Sequence, residues 1–489
     1  MRHHTALTLS VLTALAAGHA ARADELPADL PDYSYAGYHC GEADLPAADA
    51  TASVLDFGAV PDDDLDDTAA FAKALDDAAG QVILVPAGQY LLSGRLHIDS
   101  ADTVLRGEDG TVLHFTKSLT DLDPKPTSNS GGTSTSSYSW SGGLITLGGD
   151  SFVSGPKLSI ADSPKLGDSV ITLDNAGSLA IGDRLLLDAR DGGKRSLADY
   201  VYRGELRKAD NDINNIRLSQ VVGIMAVDGN RVTLDRPLRF DLRPEWMTVR
   251  KFTPAVTESG IEHLTIEFAA TLYRGHFTEV GWNGIAIGNA ADCWVRDVTI
   301  VNCDSGIFVR GHFNTLQNLT LRSDREPDRR NHTGHHGITM GGSDNLLTGF
   351  RYDQRFIHDV TLTAGSVGNV IERGSAIDLS MDHHKWGPYM NLWTELDAGR
   401  GTRLFKSGGG AGRGRNVGWG GTYWNITGGQ GGQTPGNNFG PAGLWFVGVD
   451  GVSSEKARDG WTVLEGTPKV ANLYRHQLEK RLETKRADP

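Results

Sequence analysis

Gly284–Asn289 (GIAIGN), Gly306–Gly311 (GIFVRG) and Gly337–Gly342 (GITMGG) are one pattern written three times. Each is short, carries apolar side chains at alternating positions, and closes on Gly or Asn. That is the period and punctuation of a strand followed by a turn. The ladder continues as FIHDVT from Phe356, AIDLSMDHHK from Ala376 and RLFKSGG from Arg403. A second ladder interleaves with it at Val298, Leu319, Val370, Asn391 and Tyr423. No helical period separates the strands, so each crossover between parallel strands is itself a strand. Recurrence at roughly 20 to 30 residues marks a solenoid. The expected fold is an all-β, right-handed parallel β-helix, in which equivalent positions of successive coils stack about 4.8 Å apart.

The chain has 489 residues, of which 61 are Gly, an excess that suits a protein of many turns. Its net charge of -14 argues against nucleic acid as a partner. Arg2, the apolar run Thr5 to Ala17 and the Ala21-Arg22-Ala23 site read as a secretory signal peptide over 1–23. The expectation is a secreted or periplasmic monomer with no membrane partner. Cys40, Cys293 and Cys303 lack the spacing of a disulfide framework or a zinc knuckle.

The remaining segments are expected as follows. Residues 24–52 form an irregular lead-in, and 53–156 hold an N-terminal cap and the first coils. In the cap, Asp66 or Asp67 starts a helix carrying Phe71 and Leu75 on one face. Residues 157–250 read as antiparallel hairpins, a β-rich insertion that either walls a cleft or is a structural bulge. Residues 251–470 make the main β-helix with its groove, and 471–489 a helical tail serving as a C-terminal cap.

Asp56-Phe57-Gly58-Ala59, Asp66-Asp67-Thr68, Val85-Pro86-Ala87-Gly88-Gln89-Tyr90 and Leu105-Arg106-Gly107 together resemble the N-terminal signature of the pectate lyase superfamily. The segment Met381–Gly409 resembles one found in secreted bacterial carbohydrate-active members. The resemblance implies the β-helix fold and a range of roles: polysaccharide lyases, glycoside hydrolases, fructan-processing enzymes and tailspikes.

Chemistry is expected where histidines cluster. His312, His332, His335, His336, His358, His383 and His384 all fall within the ladder, and the two His-His pairs lie two coils apart. Arg310, Arg330, Lys385, Arg403, Lys406 and Arg413 accompany them. Arg grips carboxylates bidentately, so an acidic polysaccharide is the expected partner, cleaved at a uronic acid by β-elimination. That reaction needs a charge neutraliser for the uronate, a base for the C5 proton and an acid for the leaving oxygen. The expected base is His383 or His336, with His384, Lys385 or Tyr389 as acid. Arg403 and Lys406 are the expected neutralisers, and Arg310, Arg330, Arg413, His335 and Trp393 further contacts. No cofactor is assigned, although Ca2+ held by Asp378, Asp382 and Asp397 could serve as neutraliser. The alternatives are a hydrolase with two opposed carboxyls and a non-catalytic glycan-binding protein. Adjacent histidines on a strand point to opposite faces, so each pair offers at most one ligand to a metal.

Overall fold

The computed structural model describes residues 26–129, 131–149, 153–430 and 433–487; the leader read at 1–23 lies outside them. Two parallel sheets build a solenoid, one of them ending at Met381–His383 and the other running its length. One contains Leu96–Ile98, Ile145–Gly148, Asn283–Ala291, Ser305–His312, Gly334–Ser343, Phe356–Leu362 and Met381–His383. We call it the groove sheet. The other, the long sheet, includes Gly260–Phe268, Trp294–Val301, Thr315–Arg322, Leu346–Tyr352, Leu392–Asp397 and Thr422–Thr427. The stretch at Arg403 forms turns instead of the expected strand, although Met381 N still donates to Leu404 O.

Alternating apolar residues meet inside. Ile285, Ile307, Ile338, Val360 and Met381 are register partners up the groove sheet. Val295, Leu316, Leu347, Ile371, Trp393, Tyr423 and Phe446 do the same up the long sheet. These residues belong to one continuous buried core. Burial of this kind stabilises by about 25 cal/mol per Å2 of apolar surface.

Where four successive coils enter the long sheet, a buried asparagine stacks on the next. Asn314 Nδ2 donates to Asn345 Oδ1 at 2.9 Å, Asn345 Nδ2 to Asn369 Oδ1 at 2.9 Å, and Asn369 Nδ2 to Asn391 Oδ1 at 3.0 Å. The same oxygens also accept backbone N–H groups, and Asn391 Nδ2 ends the row on Ser366 O.

The helix Thr68–Asp77 buries Phe71, Ala74 and Leu75 against the first coils. Asp66 meets its N-terminus, its carboxylate accepting from Thr68 N at 3.0 Å. Residues 153–253 contain a six-stranded antiparallel sheet with its own core around Leu185, Leu187, Leu218 and Val249. That core continues into Val367, Tyr389 and Trp419 of the coils, which fixes the sheet to the solenoid.

The terminal helix Leu473–Ala487 does not close the last coil as a cap. It lies along the outer face of the long sheet, where Leu346, Val370, Leu392, Trp424 and Val447 present an apolar stripe. Leu473, Tyr474 and Leu478 cover that stripe. The N-terminal segment joins it: Tyr474 Oη donates to Ala36 O, Gln477 Nε2 to Pro31 O, and Tyr33 Oη to Gly420 O. None of the helices among the described residues is long and apolar enough to cross a membrane.

Candidate active site

Register brings the histidines together. His336 and His358 are partners on adjacent strands, and Thr361 and Leu362 pair with Asp382 and His383 on the next. The rings of His336 and His358 stack with centroids 5.0 Å apart. His335 lies 4.0 Å from His336, so strict alternation fails at the start of this strand and both rings reach the same cavity. His384 stands 5.2 Å from His358 in an edge-on arrangement. The cavity has a volume of about 1570 Å3.

At the other pair, alternation holds and decides the chemistry. His383 points inward among Trp393, Tyr423 and Phe439 and is 1% exposed. Its Nδ1 meets Met381 O at 2.9 Å and its Nε2 meets Tyr423 Oη at 2.9 Å. Burial pushes its pKa down to about 4. It therefore cannot reach substrate as the expected base. His384 faces the cavity. Its Nδ1 lies 2.8 Å from Asp382 Oδ2.

Asp382 is fully buried and also accepts from Gly408 N at 2.6 Å and Thr361 Oγ1 at 3.1 Å. Burial alone would raise its pKa, but His358, His384 and the Gly408 N–H together hold it well below the usual carboxylate range. An ionised carboxylate only accepts, so Nδ1 of His384 carries the proton in this bond and Nε2 is the nitrogen turned away from Asp382. Gly408 makes this possible, since a Cβ there would stand 2.5 Å from His384 Cε1 and 2.9 Å from His358 Cε1.

Cations surround the histidines. Arg310, Arg330, Lys406 and Arg413 line the cavity as expected, joined by Arg274 and Arg329. Among the described residues, no ion pair engages Arg274, Arg310, Arg329, Arg330 or Lys406. Burial and the neighbouring arginines lower the pKa of Lys406. Arg413 lies 3.9 Å over the ring of Trp386, whose Nε1 donates to Asp212 O of the insertion. Lys385 and Trp386 both hold left-handed backbone, φ 65° and 56°, a strain these contacts stabilise. Residues 157–250 line none of the cavity; the insertion props its edge.

Other expected roles are corrected. Arg403 is buried, donating to Asp359 Oδ2, Phe356 O and Asp378 O, and serves the coils. Tyr389 is buried against the insertion, with Oη donating to Arg239 O. Trp393 lies in the core. Lys385 does not line the cavity. Burial lowers its pKa, with Arg207, Asp210 and Arg413 as its nearest charged influences. The oxygens suggested for Ca2+ do not converge. Asp378 accepts from Thr402 N and Oγ1, Asp382 is engaged as described, and Asp397 is an exposed residue at the end of its strand bonded to Gly399 N. This set does not fit a cation that takes six to eight oxygens.

The sequence reading missed His276 and Glu279, which sit in the irregular stretch 269–282 where no period marks a face. His276 packs 4.4 Å from His335. Glu279 is buried, accepts from Tyr273 Oη and Ser139 Oγ, and stands 3.4 Å from His335 Nδ1. Burial pushes Glu279 up to about 7, His335 and His336 well below the ordinary imidazole range, and His358 down to about 3.

Residues 51–148 match the family described as rhamnogalacturonase A/epimerase, pectate lyase-like. No curated protein matches the chain significantly. Among solved structures, the tailspike protein gp49 of Pseudomonas phage LKA1 is 15% identical at a TM-score of 0.50, covering 82% of this chain and 70% of its own. An exopolygalacturonase from Thermotoga maritima is 11% identical at a TM-score of 0.38, covering 82% and 80%. At such identity the tailspike likeness speaks to the fold. Together with the coils above, the chain has the right-handed parallel β-helix fold, and its residues 51–148 are similar to the pectate lyase-like family.

Proposed function

We propose that the protein is a polysaccharide lyase that cleaves a uronic-acid-containing polysaccharide by β-elimination. One observation carries this reading: the cavity is lined by imidazoles and unpaired cations, and its single lining carboxylate among the described residues is Asp328, which is bonded to His332. Hydrolysis by this fold needs two carboxyls facing the scissile bond. Elimination needs a base beside positive charge, which these residues supply. The family matched by residues 51–148 is one of glycan-acting β-helix proteins, and it supports a glycan substrate.

In this reading the substrate carboxylate lies against Arg310, Arg330 and Lys406, which lower the cost of charge developing at C5. His384 Nε2 takes the C5 proton, with Asp382 holding the ring and stabilising the imidazolium. The C5–H electron pair becomes the C4–C5 double bond, and the C4–O bond breaks toward the leaving sugar. The imidazolium can return its proton to the departing oxygen, so one residue serves as base and acid.

The test is ultraviolet absorbance during incubation with pectate, alginate, hyaluronan, chondroitin and dermatan sulfates, heparan sulfate, glucuronan and ulvan. New absorbance from an unsaturated uronate, lost in His384→Ala, is the expected result. Reducing ends without absorbance would transfer the reading to hydrolysis, and binding without either signal to a glycan-binding role.

A further inference from the structure

Proton transfer through His384 leaves the other imidazoles unexplained. His335 is 1% exposed, yet neither ring nitrogen has a hydrogen-bond partner among the described residues. His358 Nδ1 is likewise unpartnered. An imidazole always carries an N–H or a lone pair at each nitrogen, and orphaning them in the interior costs free energy. These rings converge with His276: one nitrogen from each of His276, His335 and His358 lies within 4.8 Å of the other two.

We infer that His276, His335 and His358 form a binding site for a divalent transition metal, Zn2+ by preference, within the cation-rich groove. Three features support it. The donors are all imidazole nitrogens, which suit Zn2+ and are wrong for Ca2+ or Mg2+. Each buried ligand has a buried carboxylate behind its Nδ1, at 3.4 Å: Glu279 Oε1 for His335 and Asp382 Oδ2 for His358. That is the outer-shell arrangement that orients a metal-binding histidine through its other nitrogen. Finally, all three rings line the cavity, so a fourth coordination position faces the space a substrate would enter.

Tetrahedral Zn2+ holds nitrogens about 3.3 Å apart. The set therefore closes by a rotation of His276, its solvent-exposed member on an irregular stretch. The neighbouring trio His358, Asp382 and His384 is a poorer site. Both Asp382 oxygens are already engaged, by Gly408 N, Thr361 Oγ1 and His384 Nδ1. A metal here would present a Lewis acid to an anionic sugar whichever bond is cleaved, so the site does not depend on the lyase reading.

The experiment is calorimetric titration of the chelator-stripped, full-length protein with Zn2+ alone, beside a thermal melt. One equivalent should bind and raise the melting temperature. His276→Ala, at an exposed position that leaves the core intact, should weaken binding by at least about 10²-fold, and Glu279→Gln by about 10- to 100-fold. His476→Ala, on the outer helix, should bind as wild type. Absence of stoichiometric binding, binding that survives His276→Ala, or equal binding of Ca2+ would each overturn the assignment. Because no substrate is present, this result stands or falls separately from the absorbance assay.

Discussion

Two polar stacks climb the same coils, one of asparagines and one of histidines. In the first, Asn314, Asn345, Asn369 and Asn391 pass hydrogen bonds from coil to coil until every amide is engaged. In the second, His335, His336 and His358 are as deeply buried, yet ring nitrogens stand without partners. Stacking alone is therefore no sign of function, since a solenoid stacks any residue placed once per coil. The difference lies in saturation. A completed polar row stabilises, whereas an incomplete one holds free energy in reserve for a ligand.

The largest effect should separate two adjacent histidines. His384→Ala is expected to lower turnover by about 10² to 10⁴ with folding intact. His383→Ala should leave turnover of the folded protein near wild type while lowering stability by about 2 kcal/mol through a lost buried bond and a cavity. Equal kinetic losses in both would refute the inward assignment of His383.

Next, Asn345→Leu removes the acceptor of the Asn314 backbone N–H and breaks the side-chain row on both sides, and should cost about 2–4 kcal/mol in denaturant unfolding. Gly408→Ala should then lower turnover by about 10², because its Cβ displaces His384. A wild-type rate there would show that the ring has room to move.

In the histidine stack the sign reverses. His335→Leu in metal-free protein should be neutral or stabilising by about 1 kcal/mol, since it removes a buried ring whose nitrogens make no hydrogen bond. A loss as large as that at Asn345 would erase the contrast. The smallest effect belongs to the rim. Arg330→Ala should raise KM a few-fold and flatten the dependence of rate on salt.

Much of this architecture was readable. Alternating Ile and Val between Gly and Asn turns is a local signal, and it survives irregular coil lengths. The asparagine row is equally regular in space, but its members are 31, 24 and 22 residues apart because the coils differ in length. The cluster could be sensed from histidine density, but not its facing. Whether His383 or His384 meets the groove depends on a one-residue register, which a sequence does not display. Arg403 and Lys406 look alike in the chain. One is spent on Asp359 inside, and the other lines the cavity. His276 and Glu279 come from an aperiodic loop that only folding brings under the stack.

The outer clasp has a consequence for how the molecule comes apart. A solenoid whose coils touch only their neighbours behaves as a one-dimensional array, able to fray from either end while the middle persists. Here Leu478 and its neighbours on the last helix share one buried cluster with Leu346, Val370, Leu392, Trp424 and Val447, and the same helix is bonded to the segment around Tyr33 and Ala36. Losing any one of those rungs loosens the clasp on all of them. The segment around Tyr33 and the helix Leu473–Ala487 thus act as a tie rod across the coils from Leu346 to Val447, coupling their unfolding and keeping the coils that carry the histidines in register.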